Sequence, residues 1–169
     1  MTFAYHAIMY QLLALICILC MFSGNKSFTT TEIYQFKMLR CELGDSPFSQ
    51  QFISFAVKAC ADAYLVLTSQ YDDSGPLVEI AIGINGDTRS AIRNVKLGGN
   101  RVVTRNSLLN CENFNRFWIS WKNSNFSVGL GNYENENTFM SFRDDRKLAI
   151  INIGISTGLG STGEWLFVA

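Results

Sequence analysis

Apolar residues along most of this chain fall at every second position, and Val, Ile, Phe and Tyr dominate them. That alternation turns one side chain to a core and the next to solvent, which is the signature of half-buried strands rather than helices. It predicts strands over Phe52–Lys58, Tyr64–Ser69, Leu77–Ile84, Arg89–Val95, Arg101–Arg105, Arg116–Lys122, Asn125–Leu130, Thr138–Phe142, Leu148–Ile155 and Glu164–Val168. Turn residues separate them. Asn85-Gly86 suits the positive φ angles of a two-residue type I′ hairpin, Gly98-Gly99-Asn100 marks a second reversal, and Lys122-Asn-Ser-Asn125 a third. Short strands closely spaced by turns indicate an all-β domain, a two-layer antiparallel β-sandwich of jelly-roll type from about Phe52 to Val168. Ile33 to Cys41 reads as the start of a strand in preference to a helix, and Ser23 to Thr31 is polar enough for a mobile lead-in.

Met1 to Gly24 break the pattern, with no Asp, Glu, Lys or Arg and a continuous apolar run from Leu12 to Phe22. The run is too short for a hydrocarbon core, which takes about 20 apolar residues, but it has the length of a signal-peptide core. The expected organisation is a signal peptide over 1–24, an N-terminal segment and first strand over 25–51, and the sandwich over 52–169. The product is then secreted and free of the membrane once the signal is removed; an uncleaved signal anchor is the alternative.

Charge and cysteine content narrow the partners. The 14 basic and 14 acidic residues balance, with no basic stripe, so nucleic acid is not an expected partner. Cys17 and Cys20 leave with the signal, and Cys41, Cys60 and Cys111 lack metal-ligand spacing. In an oxidising compartment one pair could close and leave an odd thiol; alternatively Cys60 is a buried, inert strand residue. The single histidine, His6, also lies in the signal segment, so the mature domain has no Ser-His-Asp or Cys-His nucleophile and no His-containing metal site. Asp72-Asp73 and Asp144-Asp145 are adjacent in sequence and would point to opposite sides of a strand, an arrangement unsuited to acid–base work.

Binding candidates are more numerous. Phe117, Ile119 and Trp121 share a core face, which places Trp118 on the opposite face with Ser120, either as a stacking platform for a sugar or under a covering loop. Arg89 and Arg93 lie on one face of one strand, either converging on a carboxylate, sulfate or acidic sugar or forming a solvated face that deters edge pairing. Asn25-Lys-Ser27 and Asn125-Phe-Ser127 are glycosylation sequons, and Asn125, at a hairpin tip, is the better acceptor.

Four segments together resemble the domain named after crustacean and insect farnesoic acid O-methyltransferase. They are Phe55-Ala-Val-Lys-Ala-Cys-Ala-Asp-Ala-Tyr64; Glu79-Ile-Ala-Ile-Gly83 leading into Thr88-Arg-Ser-Ala-Ile-Arg93; Phe117-Trp-Ile-Ser-Trp121 leading into Val128-Gly-Leu-Gly131; and Ile153-Gly-Ile-Ser-Thr-Gly158 leading into Gly163-Glu-Trp-Leu-Phe167. The resemblance implies that Asp144 matches an acidic residue of the family's binding site, although this chain has Phe142-Arg-Asp144 where a Trp often precedes the acid, and Asn132–Asn137 where glycine is commoner.

The name of that family implies methyl transfer from S-adenosylmethionine to a sesquiterpenoid carboxylate. A nucleotide-fold methyltransferase needs a glycine-rich turn between a parallel strand and a helix. Gly154, Gly158, Gly160 and Gly163 follow an apolar strand, but only Glu164 to Ala169 come after them; Gly129-Leu-Gly131 runs into the polar Asn132–Asn137. Both clusters are expected to be turns and bulges. The reading is therefore a recognition module for an extracellular glycan or small amphipathic acid, with no cofactor and no metal. Methyl transfer is the alternative reading, and an adhesive or structural role a third.

Overall fold

The structure, a computed structural model, describes residues 24–32, 34–158 and 160–167. The signal-peptide reading of Met1 to Gly24 lies almost wholly outside the described residues. Two six-stranded sheets face each other. The front sheet runs β1 (Lys26–Thr30), β12 (Gly163–Phe167), β3 (Phe52–Ala59), β8 (Asn110–Ser120), β9 (Asn125–Leu130), β10 (Thr138–Arg143). The back sheet runs β2 (Lys37–Met38), β11 (Asn152–Thr157), β4 (Ala63–Thr68), β5 (Leu77–Gly83), β6 (Arg89–Arg93), β7 (Asn100–Arg105). Neighbouring strands pair antiparallel throughout. All ten strands expected from the alternation are present, most with ends close to expectation, but β8 begins at Asn110 instead of Arg116 and β11 at Asn152 instead of Leu148.

The period-2 residues meet between the sheets. Phe55 stacks on Phe117 and on Phe167, with Trp165 beside them, opposite Leu65, Leu67, Ile80, Ile82, Ile153 and Ile155. Each such side chain contributes roughly 1.5–3 kcal/mol by leaving water. The back sheet is buried on its other face too, because Tyr34 and Phe36 pack over Tyr64, Ala81 and Ala91. That second layer explains why β4 and β5 are buried at every position, and their near-continuous apolar sequences fit burial on both faces.

Several expectations need correction. Lys26–Thr30 forms edge strand β1 rather than a mobile lead-in, and its Thr30 hydroxyl accepts a 2.9 Å hydrogen bond from Trp165 Nε1. The sandwich thus begins well before Phe52. Ile33–Cys41 contains the short β2, but the chain then turns into a helical turn at Arg40–Leu43, followed by another at Ser46–Gln50. At Asn85-Gly86 the positive φ angles are present, but Asp87 also has φ 56°, so the loop holds four residues between the bridged Ile84 and Arg89. The extra left-handed residue has a use: the Asp87 carboxylate accepts hydrogen bonds from the backbone N–H groups of Leu108 and Leu109 and from the Ser107 hydroxyl.

Cys60 and Cys111 form a disulfide across β3 and β8, with Cα atoms 4.3 Å apart. It sits where the register slips between the Val57–Asn115 and Ala59–Asn110 pairs, so it fixes a bulge that carries the exposed Phe114. Cys60 is therefore not an inert thiol. Among the described residues no helix is long and apolar enough to cross a membrane, and no group of three His, Cys, Asp or Glu side chains is placed to hold a metal ion.

Candidate functional site

Trp118 points away from the core, as alternation requires, but it has no exposed surface. Its ring lies flat over Gly129 on the neighbouring strand, where any Cβ would collide with it, and stacks on Phe52 at 6.5 Å and 26°. Its Nε1 donates to the Glu136 carbonyl at 2.7 Å, so the loop after β9 closes over it. Trp118 is therefore a seat for that loop and offers no open platform.

Arg93 is also committed. Its Nη1 donates to the buried Glu79 carboxylate at 2.6 Å and its Nε to Asn100 at 2.8 Å. Arg89 is exposed and stands opposite Arg105 on edge strand β7, so the two arginines singled out from the sequence do not converge. Like charges across an edge discourage strand addition. Asn125 is the first residue of β9 and does not stand clear of its neighbours: its side chain donates to Ser127 and accepts from Ser141. Asn25, just before β1, is exposed.

Asp144 does reach a cleft. At the end of β10 its buried carboxylate accepts from Arg146 Nε at 2.9 Å and from the Arg146 backbone N–H at 3.0 Å, while Arg146 Nη2 donates to the Leu77 carbonyl at 2.9 Å. Aspartate and arginine form a clasp from the front sheet to the back one. The Arg146 hydrogen bonds hold the Asp144 carboxyl below the usual carboxylate range, against the opposing effect of burial. Asp144 is thus an ionised, internally satisfied anchor rather than a ligand contact.

Around the clasp lies an open cleft of about 510 Å³, lined by Asn94, Arg101, Phe142, Arg143 and the Asp144–Arg146 turn. Arg101 spends its Nε on Asn94 at 2.8 Å, and Arg143 makes a 3.3 Å, solvent-exposed pair with Asp145. Such a pair is worth little in water. Three arginines face two aspartates here, and Asp144 is already neutralised, so the cleft presents a positive potential beside the half-buried Phe142 ring. Guanidinium groups with unspent N–H donors bind carboxylate or sulfate in a bidentate fork. Arg101, Arg143 and Asn94 were not legible as a group, because β6, β7 and β10 bring them together from distant sequence.

The glycine clusters are structural. Gly129 makes room for Trp118, Gly154 for Met38 and Phe36, and Gly158 for Tyr64. Gly154 lies within β11 and Gly163 opens β12, while Gly158 and Gly160 lie in the connection from the back sheet to the front one, which has no helix among the described residues.

Among curated proteins, "Uncharacterized protein 5" of Haliotis asinina is 29% identical over 110 residues, and the match spans 64% of each chain. Among solved structures, a β-1,3-1,4-glucanase (lichenase) derived from a mouse hindgut metagenome aligns at TM-score 0.48 and 14% identity over 85% of this chain and 78% of that one. The carbohydrate-binding module CBM66 from Bacillus subtilis aligns at 0.48 and 7% over 85% and 80%, and the CBM40 of a Ruminococcus gnavus sialidase at 0.43 and 10% over 86% and 92%. These likenesses transfer no site. The family described as farnesoic acid O-methyl transferase matches residues 30–169, from the last residue of β1 onward, and the chain belongs to that family.

Proposed function

We propose that this domain is a secreted recognition module that binds an acidic ligand, a uronic-acid-type sugar or a small amphipathic acid, in the Arg101–Arg143 cleft. The observation that carries this reading is the pairing of two under-committed guanidinium groups with an apolar ring: the arginines take the anion and Phe142 takes the ring or chain attached to it. The domain acts by binding and not by turnover. Export is supported by the charge-free, apolar Met1–Gly24 and by the Cys60–Cys111 disulfide, since such bonds persist in oxidising compartments. Asn25, open to solvent, is the sequon residue that carries a glycan.

A glycan and fatty-acid array probed with the domain tests the reading. Retention on carboxylated or sulfated probes, lost in the Arg101→Ala/Arg143→Ala variant, is the expected outcome; retention on neutral probes alone contradicts it. Expression in insect cells with the native N-terminus should give a secreted product whose mass falls on glycosidase treatment, and a product retained in the cytosol defeats the export proposal.

A further inference from the structure

The face of the front sheet that turns away from the core carries a second cleft. It has a volume of about 420 Å³ and is lined by Gln50, Phe52, Lys122, Asn132, Tyr133 and Glu134. Tyr133 is 75% exposed, an unusual placement for a large aromatic side chain with no core to fill. Its loop is nonetheless anchored at several points: Trp118 holds the Glu136 carbonyl, Arg116 donates to Asn132 at 3.0 Å, and Lys122 pairs with Glu134. An exposed aromatic ring on an anchored loop is preorganised, so a ligand stacking on it orders little that was free before.

Strand register connects this cleft to the arginine cleft. Phe52 stands opposite Ser120, Ser120 opposite Ser127, and Ser127 opposite Ser141, a straight row across β3, β8, β9 and β10. Arg143 follows two residues beyond Ser141 on the same face. Between an aromatic end and a cationic end the sheet therefore has a floor of small side chains: Ser141 is exposed, Ser120 and Ser127 are buried at 5% and 9% exposure, and the Ser127 and Ser141 hydroxyls lie 3.2 Å apart with Asn125 bonded to both. Three strand spacings put the two ends of the row roughly 14 Å apart. Small side chains leave room for a chain lying across the strands, whereas bulky ones would obstruct it, and the exposed Ser141 hydroxyl adds a polar group along the way.

We propose that the two clefts are the ends of one extended site for a linear acidic oligosaccharide, which rests on the arginine-cleft reading for its charged end. An acidic unit sits on Arg101 and Arg143, the chain crosses the serine row, and a neutral sugar ring stacks on Tyr133. Aromatic faces accept the C–H edges of a sugar ring, while the Asn132 and Gln50 amides suit its hydroxyls.

Calorimetry with glucuronic acid and with hyaluronan oligosaccharides, in which uronate and neutral units alternate, tests this. Affinity should rise about tenfold from the disaccharide to the hexasaccharide, the scale of one added aromatic contact. Tyr133→Ala should abolish that gain while glucuronic acid binds unchanged; the side chain is exposed, so the variant folds. Affinity independent of length, or a gain that survives Tyr133→Ala, overturns the two-ended site and leaves the arginine cleft standing. Failure of every probe to bind, glucuronic acid included, overturns both.

Discussion

Arg93 reaches across from β6 to place its Nη1 2.6 Å from the Glu79 carboxylate on β5, and that carboxylate has no exposed surface. The other Glu79 oxygen accepts the Leu97 backbone N–H at 3.1 Å, so the pair also fixes the β6–β7 loop. Arg93→Ala strands a buried charge and should cost about 3–5 kcal/mol. Adding Glu79→Gln removes the charge and keeps the acceptor, and should restore most of that loss. Urea denaturation of the wild type, both single variants and the double variant measures this. Arg93→Ala within 1 kcal/mol of wild type, roughly the scale of an exposed pair, would show that the carboxylate is not buried as described.

That pair shows where sequence reasoning stops. Alternation places Arg93 correctly on the outward face, but the partner depends on register. A two-residue Asn85-Gly86 turn would set Glu79 opposite Ile92. The observed four-residue loop, with Gly83 at φ 67°, sets it opposite Arg93 instead. Local periodicity fixes which face a residue takes, whereas cross-strand partners follow from loop length. Trp118 repeats the point: its face was legible, and the loop that covers it has no period to read. Asn110–Asn115 joins β8 without alternation because that stretch is exposed on both faces, and Arg101 with Arg143 meets only where two edge strands converge.

The Asp144–Arg146 clasp should make part of the stability acid-sensitive. Its folded-state carboxyl lies below the ordinary value, because of Arg146, so the ionised form favours folding. That contribution is complete above the unfolded value of about 3.9 and is lost as pH falls through the lower folded value. Asp144→Asn should cost about 2 kcal/mol at neutral pH. The gap to wild type should close as pH drops below about 4; a gap that widens in acid has the wrong sign.

Asp62 behaves oppositely. Burial raises its carboxyl, opposed by hydrogen bonds from Tyr64 and the Asn85 backbone, and no cation pairs with it among the described residues. A raised acid costs stability at neutral pH, and the cost shrinks as pH falls through the folded value and vanishes below about 3.9. Asn tolerates the left-handed φ of 57° at this position and still accepts from Tyr64. Asp62→Asn should therefore raise the melting temperature at pH 7 and lose that advantage in acid. A lower melting temperature at pH 7 contradicts the assignment.

The Cys60–Cys111 bridge closes a 51-residue separation, for which chain entropy predicts up to about 4 kcal/mol. Cys60→Ser/Cys111→Ser should unfold at lower denaturant, and its midpoint should not respond to dithiothreitol through this bond. Equal midpoints for oxidised wild type and variant would remove the bridge from the stability account.

The recognition reading requires an acidic group to bind between Arg101 and Arg143. Calorimetric titration of the purified domain with glucuronic acid tests it most directly, beside Arg101→Ala/Arg143→Ala and beside S-adenosylmethionine as a second titrant. The expected result is saturable binding of the acid that weakens with added salt, is lost in the double variant, and has no counterpart for the cofactor. Acid binding that survives loss of both arginines, or micromolar binding of S-adenosylmethionine with methylation of farnesoic acid, would contradict it.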